Sequence, residues 1–175
     1  MQGTTPSQTV GPFFSIGCSW MDSGNLASAA FPGERIAIRG RMLDGDGKPV
    51  ADGLIEIWQA DPAGRFDNPA FRGFGRISTQ AEGRFAFTTV RPGRIAAPGG
   101  PSQAAHLLVT VFARGMLKHA MTRLYFPDDP AHAEDPVLSR VEPARRATLI
   151  ARKGADALEW DIVLQGRDET VFFDL

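Results

Sequence analysis

Apolar and polar residues alternate along most of this chain, and turn-forming residues interrupt the alternation at short intervals. In Glu34–Leu43, "ERIAIRGRML", Ile36 and Ile38 alternate with Arg39 and Arg41, the pattern of a half-buried strand. "DGDGKP" (Asp44–Pro49) follows, with glycines suited to the positive φ of a tight turn. "LIEIWQA" (Leu54–Ala60) resumes as a strand and "DPAG" turns again. Further strands are predicted at Gly83–Val90, His106–Ala113, His119–Phe126, Glu159–Gln165 and Thr170–Asp174, and "GFGRIS" (Gly73–Ser78) reads as a strand entry. Many short strands with frequent turns predict an all-β sandwich or barrel.

Two segments break the pattern. Pro136–Ile150, "PVLSRVEPARRATLI", lacks alternation and carries helix formers after Pro143, which predicts one or two short helices. Residues 1–32 read as an extended arm that needs tertiary or partner contacts to be ordered. With no internal repeat and no linker, the chain is expected to be one domain over residues 1–175, the arm followed by a β-sandwich over 33–175.

Composition narrows the classes of function. Hydrophobic residues make up 43% and charged residues 22% of 175, which excludes a disordered or collagen-like chain. A net charge of −1 gives no reason to expect a nucleic-acid partner. Cys18 is the single cysteine, so no internal disulfide can form and a reducing compartment is the simplest home. The sequence begins without a basic leader or apolar core segment, and no apolar run reaches membrane-spanning length; a cytoplasmic protein with no membrane partner is expected.

Few motifs carry chemistry by themselves. "DGDG" opens like a calcium loop, but the twelfth position, which should be a bidentate Glu, is Ile55; a hairpin turn is the better reading. "GFGRIS" lacks the third glycine of a dinucleotide fingerprint, and no nucleophile-elbow pattern is present. His106, His119 and His132 share no strand or helix period that would make them converge. Glu56 and Trp58 lie on one face of a strand by period two, and Arg114 and Arg123 flank a hairpin built on Gly115.

Taken in order, "TPSQTVGPFF", "EIWQADPAGRF", "GFGRISTQAEGRFAFTTVRPG", "VFARG", "TRLYFPDD" and "GRDETVFFDL" resemble the intradiol ring-cleavage dioxygenases over almost the whole chain. The likeness is to the α subunit of a two-subunit member that acts on a carboxylated catechol. That resemblance implies a β-sandwich in which a catalytic chain holds Fe(III) through two tyrosines and two histidines. It also implies a higher-order αβ oligomer, with active sites at the boundary between α and iron-bearing β subunits. Ferric iron is a hard Lewis acid, suited to phenolate and imidazole ligands, and it favours chelation of the catechol oxygens.

This sequence departs from the family's ligand pattern. The ligand positions are similar to Phe66 in "AGRFD", Ile95 in "RPGRI", and His106 and Leu108 in "AAHLLV". Phe, Ile and Leu offer no lone pair, so the chain is expected to hold no metal and to have no catalytic residue when alone, the Fe(III) lying in the partner subunit. Tyr125, the single tyrosine, is read as a packed residue in a strand away from those positions, and His106 as a relic. The resemblance assigns Thr9, Gly11, Pro12 and Arg114 to the wall of the partner's active site, where a guanidinium suits a substrate carboxylate. Two alternatives remain: a stand-alone β-sandwich that binds a small aromatic acid, and a metalloenzyme using another ligand set such as His106, His119 and a carboxylate.

Overall fold

The computed structural model describes residues 3–18, 23–97 and 99–174. In chain order the regular elements are α1 Pro12–Cys18, β1 Arg35–Leu43, β2 Leu54–Trp58, β3 Phe74–Ser78, β4 Arg84–Val90, β5 His106–Phe112, β6 Ala120–Tyr125, β7 Arg152–Lys153, β8 Leu158–Glu159 and β9 Ile162–Val163. One sheet has the order β4-β1-β8-β7, with β9 also paired to β1; the other has the order β3-β2-β5-β6. The two sheets give the sandwich that the alternation predicts.

The core lies between the sheets and follows the period of two. Ile36, Ile38 and Met42 from β1 meet Ile55 and Ile57 from β2 and Leu107, Val109 and Val111 from β5, all buried in one cluster. At Gly40 the chain needs the missing side chain, since a Cβ there would stand 1.7 Å from the carbonyl oxygen of Trp160. That close approach lets β1 pair in parallel with β8 through Ile38 and Arg39.

Several predicted elements take a different local form. Glu159–Gln165 is split into β8 and β9 because Trp160 and Asp161 bond to β1 individually: the Trp160 N–H donates to Arg39 O and Asp161 Oδ1 accepts from Arg41 N. Thr170–Asp174 contributes a single bridge, Phe173 to Met121, because the Thr170 hydroxyl accepts from Val163 N where a ladder bond would otherwise form. The helical stretch within 136–150 is 3₁₀ rather than α, at Leu138–Arg140 and Pro143–Leu149, the second started by a proline.

Residues 3–11 of the arm run without regular structure, and the chain then turns into α1. This helix has no apolar period or charged cap to announce it; it starts at a proline, and Phe14 packs on Phe112 of β5 with ring centroids 5.6 Å apart. Among the described residues no helix is long and apolar enough to cross a membrane.

Candidate functional site

The β5–β6 hairpin organises both regions that the sequence singles out, one at each end. Its register pairs His106 with Tyr125 at one end and Val111 with Ala120 at the other, where Gly115 turns the chain at φ +88°.

At the turn end the arm meets the hairpin. The Gly115 N–H donates to Thr9 Oγ1 at 2.7 Å, which brings Thr9 alongside Arg114. Arg114 is exposed and its Nε lies 3.0 Å from Asp52 Oδ2. Gly11 is exposed, its carbonyl accepting from Phe14 N at 3.0 Å, and a Cβ on it would meet nothing within 4 Å. Pro12 is the first residue of α1. Thr9 and Arg114 therefore lie together on an exposed surface, and Gly11 is exposed as well.

At the other end, period two turns His106 and Leu108 to the face opposite the core residues Leu107 and Val109. There Phe66, Ile95, His106 and Leu108 line one cavity of about 310 Å³. Trp58, Gln59, Gln103 and Arg123 complete its wall. Phe66 is presented by the "DPAG" turn, in which Asp61 Oδ1 accepts from Ala63 N and Arg65 N while Oδ2 accepts from Asn68 Nδ2 at 2.7 Å. Ile95 is held over the cavity by paired backbone bonds with Gln103.

The donor set of this cavity does not suit iron. His106 contributes one imidazole, and Phe66, Ile95 and Leu108 contribute hydrocarbon only. The Arg123 guanidinium is a fixed positive charge in the same wall. Among the described residues no group of three or more His, Cys, Asp or Glu could hold a metal ion.

Tyr125 is not away from this site, as the sequence suggests, but directly across the ladder from His106, with ring centroids 5.6 Å apart. The reason is register: the strand pairing that sets neighbours across a hairpin depends on the whole turn between them. The Tyr125 hydroxyl accepts from Arg123 Nη1 and donates to Asp135 Oδ1 at 3.2 Å. Burial pushes the phenol up to about 12, so it stays protonated and is no phenolate ligand. Asp135, fully buried, also accepts from the backbone N–H groups of Ala104, Val137 and Leu138.

His132 packs edge-on against Tyr125, also at 5.6 Å. His119 does not join them. It lies beside Phe112 at the turn end, about 20 Å from His106 at the rise of an extended strand, so the set of His106 with His119 is not assembled. Glu56 is occupied by Arg76 across β2–β3, Nε to Oε1 at 2.8 Å, and Trp58 packs on Phe74 and Phe66, so Glu56 and Trp58 form no joint site.

A family model described as Dioxygenase matches residues 10–166. The chain belongs to the intradiol ring-cleavage dioxygenases. It is 45% identical to the protocatechuate 3,4-dioxygenase alpha chain of Burkholderia cepacia over 98% of this chain and 97% of that one. The alpha chain of Pseudomonas putida is 41% identical over 97% and 96%. The beta chain of the Burkholderia enzyme is 40% identical over 79% of this chain and 67% of its own length. Among solved structures, the dioxygenase domain of a dioxygenase carbohydrate-binding fusion from Streptomyces sp. SirexAA-E superposes with a TM-score of 0.66 at 28% identity, covering 83% and 89% of the two chains. Members of this family depend on iron, and the cavity of this chain offers a poor donor set for it.

Proposed function

We propose that this chain is the α subunit of a protocatechuate 3,4-dioxygenase. It holds no iron itself and completes the active site of an iron-bearing β subunit, which cleaves protocatechuate with O2 to 3-carboxy-cis,cis-muconate in the β-ketoadipate pathway of aromatic catabolism. The observation that carries this reading is likeness to two alpha chains over nearly the full length, joined to a cavity in which His106 alone remains of the four ligand positions that an iron-holding chain of the family uses. The protocatechuate 3,4-dioxygenase β subunit is the expected partner in a higher-order αβ oligomer, in the cytoplasm.

The exposed surface at the turn of the β5–β6 hairpin supports the division of labour. Arg114 offers a guanidinium to the substrate carboxylate from across the interface, and Thr9, Gly11 and Pro12 supply the rest of the wall. Among the described residues nothing lies within 4 Å of a Cβ placed at position 11, which fits a backbone kept bare for something outside the chain. Phe13 and Ile16 of α1 are 81% and 68% exposed and Leu117 is 66% exposed, an apolar surface suited to burial against another subunit.

Iron analysis of the chain expressed alone and together with a β subunit tests the proposal. The chain alone is expected to be colourless, iron-free and inactive, and the co-purified pair to carry one iron per αβ unit with full turnover. Stoichiometric iron or ring cleavage by the chain alone would overturn it.

A further inference from the structure

The cavity that cannot serve iron is not featureless. Its volume of about 310 Å³ is at the lower end of the range for small-molecule sites, roughly 300–1,000 Å³. At its mouth the rings of Trp58 and Phe66 lie 6.5 Å apart and 20° from parallel, both about half exposed. In its wall stands Arg123, half-buried, with Nη1 shared by Gln103 Oε1 at 2.7 Å and Tyr125 Oη at 3.3 Å. Both partners are neutral, and among the described residues Arg123 makes no ion pair. Asp135, reached only through the Tyr125 hydroxyl, is already committed to three backbone N–H groups. Among the described residues the remaining Arg123 N–H groups have no partner, which leaves them for a ligand.

His106 adds a second recognition element. Its Nδ1 lies 2.8 Å from Ala104 O, and a carbonyl only accepts, so the proton sits on Nδ1 and the lone pair on Nε2. Burial, with Arg123 nearby, holds the imidazole down at about 4 and therefore neutral at neutral pH. The wall thus presents a fixed cation and a hydrogen-bond acceptor beneath an aromatic mouth.

We propose that this cavity is a non-catalytic binding site for one monocyclic aromatic carboxylate bearing a ring hydroxyl. The carboxylate bonds to Arg123, the ring lies under Trp58 and Phe66, and the hydroxyl donates to Nε2 of His106. A guanidinium without a carboxylate partner selects an anion over a cation or a neutral ring, and the partly dry wall strengthens that preference. The proposal concerns this chain's own cavity and does not depend on whether Arg114 serves a partner's site.

Calorimetric titration of the full chain with 4-hydroxybenzoate and 3-hydroxybenzoate tests it, with 4-hydroxybenzyl alcohol as the neutral counterpart. Expected are one site per chain for at least one acid, binding of the alcohol at least tenfold weaker, and a loss of tenfold or more in Arg123→Gln. Phe66→Ala, a change at an exposed ring that leaves the core untouched, is expected to weaken the acid several-fold at an unaltered thermal midpoint. Arg152→Gln, on the other sheet, is expected to change nothing. No saturable binding of either acid, equal affinity for acid and alcohol, or full affinity in both Arg123→Gln and Phe66→Ala would overturn the proposal.

Discussion

Gly115 donates its backbone N–H to the hydroxyl of Thr9 at 2.7 Å, tying the arm to the turn of a hairpin 106 positions later in the chain. The bond sits on an exposed surface, so it positions the arm more than it stabilises the fold.

Thr9→Ala is therefore expected to change global stability by no more than about 1 kcal/mol, while amide exchange over residues 3–11 speeds up. Hydrogen exchange beside a thermal melt checks both parts. Unchanged protection would mean that the Phe14–Phe112 contact holds the arm without Thr9.

Arg114→Ala in the assembled enzyme is expected to lower kcat/KM for protocatechuate by about tenfold or more, and for catechol, which lacks the carboxylate, by much less. Asp52→Asn, which releases Arg114 from an ion pair at 3.0 Å that is largely exposed, is expected to cost neither stability nor turnover. Steady-state kinetics on both substrates decide the first point; equal losses would remove Arg114 from carboxylate recognition.

His106 makes the fold sensitive to acid. Its pKa falls from an ordinary 6.5 to about 4 in the folded chain, chiefly through burial, so between those values the unfolded chain binds the proton and the folded one does not. Stability from this residue is fully present above pH 6.5 and is lost as pH falls toward 4, a change of order 3 kcal/mol. Urea unfolding of His106→Gln at pH 7 and pH 4.5 is expected to show a smaller acid loss than the parent chain. An equal loss in both would assign the acid sensitivity to carboxylates alone.

Asp135→Ala strands three backbone N–H groups and the Tyr125 hydroxyl in a buried setting, and is expected to cost at least about 3 kcal/mol. Tyr125→Phe removes one of the four groups that donate to Asp135, along with one of the two acceptors of Arg123 Nη1, the other being Gln103 Oε1, and is expected to cost about 1 kcal/mol. Comparison of their urea midpoints tests the ranking, and a Tyr125→Phe cost equal to that of Asp135→Ala would mean that the phenol, not the backbone bonds, anchors Asp135.

Much of the fold is legible in the chain because strands and turns are local. Ile36 and Ile38 announce β1, "DGDGKP" closes a turn through Asp44, and Gly115 marks the hairpin. The arm helix is not legible, since "PFFSIGC" has neither period nor caps and is held by contact with Phe112. The closing strand over Thr170–Asp174 fails for a different reason: its residue types suit a strand, but the Thr170 hydroxyl takes a ladder partner.

By itself the sequence determined that hydrocarbon stands at positions 66, 95 and 108, and that one histidine remains at 106, because side-chain chemistry is a property of single residues. Only the tertiary structure decided that these four share a cavity, that Tyr125 faces His106 and also packs against His132 while His119 lies at the far end of the hairpin, and that among the described residues Arg123 stands there without an acidic partner. Those are relations of register and burial between distant segments, and no local pattern encodes them.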